Sequence, residues 1–322
     1  TNLLVKLSIR KLYKNWGLMT NGTTFINTLI ELAKKDDRIF LITPDMGYSV
    51  LEKYRDEFPD RFLNSGIAEQ NSISIASGLA ASGKIVYVYD IIPFVTMRCF
   101  EQVRLDLAYN QTNVKLVGIG AGLTYGSLGT SHHAIEDIAI MRAIPNMTVL
   151  CPGDPIETRE LICRSYETFG PMYIRLGKNG EPRIHPDGTR IEIGKAIDVT
   201  DGKDFALITT SNTLEIGKRW VDEWKDENID VNLISMPSIK PFDDERIHEL
   251  LSKDLPIITF EEHNIIGGLG SSVAEIIAES GKSVKFKRIG IPDTFSHYVG
   301  QHEYQRKMFG LLEKPSIDFL KH

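Results

Sequence analysis

Cysteine is scarce in this chain: Cys99, Cys151 and Cys163 are the three in 322 residues. They make no C-x-x-C pair and no cysteine/histidine spacing suited to a metal, which argues against a disulfide scaffold and a zinc module. Each has apolar or ordinary neighbours, so all three read as reduced core thiols, as expected of a cytoplasmic protein. A bilayer-spanning run is lacking too, since a transmembrane helix needs about 20 apolar residues in succession. The most apolar stretch, residues 85–95, is interrupted by Asp90 and Pro93 and reads as a buried strand followed by a turn. Nor is there an excess of positive charge. Lysine and arginine total 37 against 43 acids, a net charge of -6, which argues against a nucleic-acid partner. No repeat of solenoid period and no low-complexity tract is present.

What is present is enough chain for two domains with a core each. Residues 1–18 stand apart, because Lys6, Arg10, Lys11 and Lys14 carry positive charge and no acid accompanies them. A targeting segment has that character. An upstream extension ahead of Met19 fits as well, and is the preferred expectation because the organised sequence begins there. From Met19 onward helical and strand-like segments alternate. Helical patterns cover residues 24–35, 69–83, 94–109, 135–144 and 156–168. Strand-like runs cover 38–43, 61–63, 85–89, 114–119, 148–151 and 172–176. A stretch rich in glycine and proline follows, containing Gly180, Pro182, Pro186, Gly188 and Gly194. The alternation then restarts, with strands expected at 205–209, 231–236, 256–260 and 284–289 and helices at 213–226, 243–251 and 268–279. Such alternation predicts an α/β protein with two doubly wound domains, each a mostly parallel sheet covered on both faces. The expected division is 1–18 extension, 19–180 first domain, 181–194 linker and 195–322 a smaller second domain.

The chemistry centres on Gly66-Ile67-Ala68-Glu69-Gln70-Asn71, which follows a strand-like piece and opens a helix rich in small residues. A glutamate in a first helical turn is favoured by the backbone dipole, by roughly 0.3–1 kcal/mol. Burial works against its charge. A carboxylate caught between these influences can share a proton with a basic ring nitrogen.

The string resembles the pyrimidine-binding domain of transketolases, especially those encoded as two chains. Phe94-Val95-Thr96-Met97-Arg98-Cys99-Phe100-Glu101-Gln102 is similar to the cofactor-facing helix of that family. Ser131-His132-His133 resembles its T-H-Q, and Pro145-Asn146 followed by Pro152-Gly153-Asp154-Pro155 its P-N…P-x-D stretch. Glu261-Glu262-His263 with Gly267-Gly268-Leu269-Gly270-Ser271, and Gly290-Ile291-Pro292-Asp293-Thr294-Phe295, resemble the transketolase C-terminal domain.

The resemblance implies the roles. Glu69 would hydrogen-bond the aminopyrimidine ring of thiamine diphosphate and act as an acid/base group through the cofactor. Phe94 would stack on that ring, with Asp45, Ile67 and Arg98 completing the cofactor contacts. His132 would touch the reacting sugar, and the glycines Gly120, Gly122, Gly126 and Gly129 around it would let the backbone approach a ligand. Ser49 and Arg175 would bind the substrate phosphate, arginine through its bidentate fork. His133 stands where glutamine is usual and receives no role. Other positions depart from the family: Asn21 and Gly22 replace an arginine, Gly120 a histidine, and Ser127 or Leu128 an aspartate. A substrate other than the usual sugar phosphate is therefore expected.

Full-length relatives hold the diphosphate through a G-D-G signature, downstream asparagines and a divalent metal. No G-D-G occurs here. The resemblance thus implies an N-terminal transketolase subunit as partner, with Mg2+ (or Ca2+) bound by that chain, and a heterotetramer built on a homodimer. The expected function is two-carbon ketol transfer between sugars or sugar phosphates. The alternatives are a decarboxylating relative, either a deoxyxylulose-phosphate synthase or a 2-oxo acid dehydrogenase beta subunit, and a non-catalytic scaffold subunit.

Overall fold

The computed structural model describes residues 20–178 and 180–320, and the basic segment 1–18 lies outside them. The chain runs α1 (Asn21–Ala33), β1 (Ile39–Thr43), α2 (Glu52–Glu57), β2 (Phe62–Asn64), α3 (Glu69–Ala81), β3 (Ile85–Ile91), α4 (Ile92–Thr96) and α5 (Phe100–Gln102). It continues through β4 (Val114–Ile119), α6 (Asp137–Ala143), β5 (Thr148–Leu150), α7 (Pro155–Glu167) and β6 (Met172–Leu176). The second half holds β7 (Ile197–Asp198), β8 (Phe205–Thr209), α8 (Leu214–Asp226), β9 (Val231–Ser235), β10 (Ser238–Lys240) and α9 (Asp244–Ser252). It ends with β11 (Ile257–Asn264), α10 (Leu269–Glu279), β12 (Phe286–Ile291) and α11 (His302–Met308). Local chemistry sets several of these boundaries. The Thr20 hydroxyl caps α1 by accepting from Thr23 N at 3.1 Å. The Asp154 carboxylate caps α7 by accepting from Glu157 N at 2.8 Å, with Pro155 at the first helical position.

Among the described residues the strands form two sheets, with orders β10-β5-β6-β4-β3-β1-β2 and β12-β11-β8-β9-β7. All pairings are parallel except β10 with β5 and β7 with β9. The mostly parallel, doubly wound architecture expected from the alternation is therefore the one adopted. β3 shows why its sequence is so apolar: every residue of it is buried, and the two faces belong to different cores. Ile85, Tyr87, Tyr89 and Ile91 pack with Phe25 and Leu29 of α1 and with Leu161 of α7. Val86 and Val88 pack with Ile73 and Ala76 of α3.

The single helix expected over 94–109 is broken. α4 stops at Thr96, α5 follows after a turn, and Val103–Tyr109 is wound as a π-helix. In the turn Arg98 N donates to Pro93 O at 3.1 Å, a five-residue reach that loosens the backbone. β10 was not foreseen at all. It comes from the second half of the chain yet pairs with β5 at the edge of the first sheet.

Buried charge joins the halves. The Glu262 carboxylate accepts from Leu123 N at 2.7 Å, His302 Nε2 at 2.7 Å and Arg306 Nε at 2.6 Å. Burial alone would raise its pKa, but the Arg306 and His302 charges outweigh that and hold it well below the usual carboxylate range. Folding thus favours the ionised form. The stability linked to this group is present above the ordinary glutamate range and is lost as pH falls through it. Replacing Glu262 by alanine removes the buried carboxylate that Arg306, His302 and Leu123 N share, and should cost about 3–5 kcal/mol. Denaturant unfolding near neutral pH should show that loss, with wild type and variant converging as the buffer is acidified; an unchanged midpoint would show that the seam carries no such load.

Candidate active site

Parallel strands deliver their C-terminal ends to one edge of a sheet, and the loops leaving them line a common crevice. Along β4-β3-β1-β2 those loops carry His132, Phe94, Asp45 and Ile67 in turn. Sheet topology therefore gathers residues far apart in sequence.

A continuous chain of contacts runs through this edge. Glu69, 7% exposed at the first position of α3, is paired with the Arg98 guanidinium. The guanidinium carbon of Arg98 lies 4.2 Å from the centroid of the Phe94 ring. Phe94 meets the His132 imidazole edge-on at 5.1 Å between centroids, and His132 meets Tyr125 at 6.0 Å. The Lys178 ammonium caps the far side of Tyr125 at 4.2 Å. Expected residues Glu69, Arg98, Phe94 and His132 are thus brought together. Burial and then the nearby Arg98 charge lower the His132 pKa, which favours the neutral imidazole needed to take or give a proton. Ser131 Oγ lies 3.0 Å from His132 Nδ1 and orients the ring.

Asp45 sits on the adjoining loop and exchanges hydrogen bonds with Asn64, whose Oδ1 also accepts from Gly66 N at 2.9 Å. That ties the Asp45 loop to the turn presenting Ile67, which is 80% exposed although apolar. Asp45 and Ser49 both adopt left-handed backbone, with φ of 59° and 63°, a conformation that side chains other than glycine adopt at a cost. Ser49 is exposed, and its amide donates to Glu52 Oε1.

Arg175 does not join them, and its expected phosphate contact is corrected here. The side chain is buried, with Nε donating to Asp137 Oδ2 at 2.8 Å and one terminal nitrogen to Ser211 Oγ at 3.1 Å. The other terminal nitrogen donates to Ala134 O at 2.9 Å and Glu262 O at 3.1 Å. Four of its five N–H groups are thus engaged inside the seam, and burial keeps the guanidinium from the edge where the other residues gather. The glycine-rich loop needs the same revision. A side chain at Gly122 would collide with the Glu262 carboxylate and one at Gly126 with Gly300 O, so these glycines admit the second half of the chain. At Gly120, with φ of 96°, the Tyr125 ring lies where a side chain would be.

Three residues of the edge were not foreseen. Tyr125 and Lys178 close the contact chain, and nothing in their immediate sequence marks them. Asp90 was seen only as an interruption of an apolar strand. It is 1% exposed, its Oδ1 accepts from Ile91 N at 2.7 Å, and its Oδ2 has no hydrogen-bond partner. Burial, reinforced by the Glu69 charge, pushes its pKa up to about 8.

The ring-binding end of a thiamine cofactor fits this edge: a carboxylate at a helix start, an aromatic face, an exposed isoleucine and an unpartnered buried oxygen. Among the described residues no group of three or more histidines, cysteines or acids is placed to hold a metal ion.

Comparison with known proteins gives the same direction. The family model for the transketolase pyrimidine binding domain matches residues 19–181, and that for the transketolase C-terminal domain matches 194–313. A putative transketolase C-terminal section of Methanocaldococcus jannaschii is 41% identical, covering 88% of this chain and 90% of that protein. One of the subunits of an apulose-4-phosphate transketolase, from Actinobacillus succinogenes, is 36% identical, covering 93% of this chain and 98% of its own. Among solved structures, a split gene transketolase described as an inactive beta4 tetramer superposes with a TM-score of 0.83 at 32% identity, over 92% of this chain and 94% of that one.

The His132 environment can be checked directly. Replacing Arg98 by methionine removes a cation that disfavours the imidazolium, so the His132 resonance should titrate at higher pH than in wild type. Proton–nitrogen correlation spectra of the imidazole would measure this, and an unmoved midpoint would mean that Arg98 does not act on His132.

Proposed function

The chain belongs to the transketolase family, and from that membership we propose that it is the C-terminal subunit of a split, thiamine-diphosphate-dependent transketolase, active only with a partner chain. The observation that carries the reading is the Glu69–Arg98–Phe94–His132 contact chain at the C-terminal edge of the first sheet. In this reading residues 19–180 form the pyrimidine-binding domain, 181–194 the linker and 195–322 the C-terminal domain.

When bound, the cofactor supplies the centre that stabilises a two-carbon carbanion during ketol transfer. The protein residues bind, orient and move protons. Glu69 releases Arg98 and offers its carboxyl to the aminopyrimidine ring. Phe94 stacks on that ring, while Ile67, Arg98 and Asp45 border it. His132, kept neutral, faces the reacting sugar and handles a hydroxyl proton. Ser49 on its exposed loop is the proposed substrate contact. Lys178 takes the place expected of Arg175, as a point charge at the mouth of the site. Sparse cationic lining supports a sugar or sugar phosphate other than the usual one, in keeping with the apulose-4-phosphate enzyme to which the chain is similar.

The diphosphate end must come from elsewhere. Burying its charges unpaired would be prohibitive, and this sequence holds no G-D-G. The N-terminal subunit would bring that signature and the Mg2+ or Ca2+ it binds, in a heterotetramer of two such chains with two partners. The split gene relative described as an inactive tetramer supports this division. The free cysteines support a cytoplasmic setting. No helix of the described residues is long and apolar enough to cross a membrane.

Two experiments test the reading. Glu69→Gln should keep the fold but slow exchange of the thiazolium proton in the assembled enzyme by about 10²–10⁴-fold; exchange at the wild-type rate would remove Glu69 from its role. Calorimetry and a ketol-transfer assay on the purified chain, with thiamine diphosphate and magnesium, should show weak or no binding and no turnover until the partner is added. Tight binding and turnover by the chain alone would overturn the half-enzyme assignment.

A further inference from the structure

Asp90 is the one acid in a strand otherwise built of apolar and aromatic side chains. Side chains alternate along a strand, so Asp90 continues the row Val86, Val88 on the face covered by α3. Its place at the C-terminal end of β3 puts it under the first turn of α3, where Glu69 sits, and just ahead of α4, which carries Phe94. The titratable and charged groups facing it are Glu69 from α3, Arg98 from the turn after α4, Tyr125 from the loop after β4, and Cys99 and Tyr89. Arg98 is the one cation among them, and its guanidinium is paired with Glu69.

Two buried acids that share one cation cannot both be ionised without leaving a buried charge unmatched. With Arg98 on Glu69, Asp90 keeps its proton. This explains how a carboxyl that is 1% exposed tolerates an oxygen with no partner.

We propose that Asp90 is a second acid of the site, a positioning residue that holds a proton for Glu69 and exchanges it against Arg98. The inference rests on the reading that Glu69 turns to the aminopyrimidine ring. As it does so, Arg98 swings to Asp90, and the proton leaves the Asp90 carboxyl for the Glu69 carboxylate. One proton, two acids and one cation are present before and after, so the net charge of the pocket does not change. Arg98 is free to swing, because its side chain is 45% exposed and its other contact is the face of Phe94.

The free chain tests the first half. With carboxyl-labelled aspartate, carbon NMR should show one aspartate that stays protonated at neutral pH and titrates near 8, absent from Asp90→Asn. Asp90→Thr provides a second substitution suited to a strand should the first fail to fold. Spectra in which neither substitution removes such a signal, or an aspartate set fully ionised by about pH 6, above the ordinary range, would overturn the proposal; the buried Asp154, also raised, would keep its own signal in every variant. The assembled enzyme tests the second half, by calorimetry of thiamine diphosphate binding in buffers of different ionisation heat. Asp90→Asn should take up one more proton from solvent per cofactor bound than wild type does. Equal proton counts would overturn the exchange. A wild-type assembly that takes up no cofactor would overturn the functional reading and the exchange with it, while the NMR signal would still report on Asp90 itself.

Discussion

The buried carboxylate of Glu262 is the constraint on which the arrangement depends. It belongs to the second half of the chain, yet it lies against Gly122, accepts from Leu123 N and so anchors the start of the loop that presents His132. The Glu262 backbone carbonyl accepts from Arg175, which grips Asp137 and Ser211. Glu262 and Asp137 both have cationic partners, which is the condition under which buried charge is tolerable. A glycine at 122 follows from that need: with φ of 64° and a carboxylate overhead, a side chain there would meet both strain and collision. The loop is thus shaped from below by packing, with His132 left partly exposed above it.

On that platform the electrostatics are those of a lean site. One guanidinium pairs with Glu69, and the same group stacks on the aromatic ring that lies against the histidine. Changing the partner of Arg98 therefore touches three functional groups at once. The arrangement couples the charge of Glu69, the face of Phe94 and the titration of His132 without any long-range movement of the fold.

Most of the architecture was legible because it is written in short-range periodicity. β4, β6 and β8 occupy the ranges expected from their apolar runs, and α1, α3, α6, α7, α8, α9 and α10 differ from expectation by a few residues at their ends, whereas α2 and α11 were not expected. The Glu69, Phe94 and His132 cluster was legible through local motifs. What escaped is non-local. The helix expected over 94–109 has no proline or glycine at its break; at the bend Arg98 reaches across to Glu69, and the Cys99 thiol donates to Phe94 O. Arg175 sits in a motif that suggested a ligand, whereas its partners come from α6 and from beyond residue 210. Asp90 and Lys178 carry no motif, and only the sheet and the neighbouring rings give them meaning. β10 is three residues long, too short for any pattern, and is defined by the edge it joins.

That short strand bears on how the protein is made. The first sheet cannot be completed until residues 238–240 have left the ribosome, long after the other strands of that sheet are available. Until then β5 presents an open edge of unpaired amides and carbonyls, the kind of template on which nascent chains pair wrongly. A chain cut at the end of the first domain would keep that edge permanently. The second half of the chain thus covers an edge that the first half leaves open.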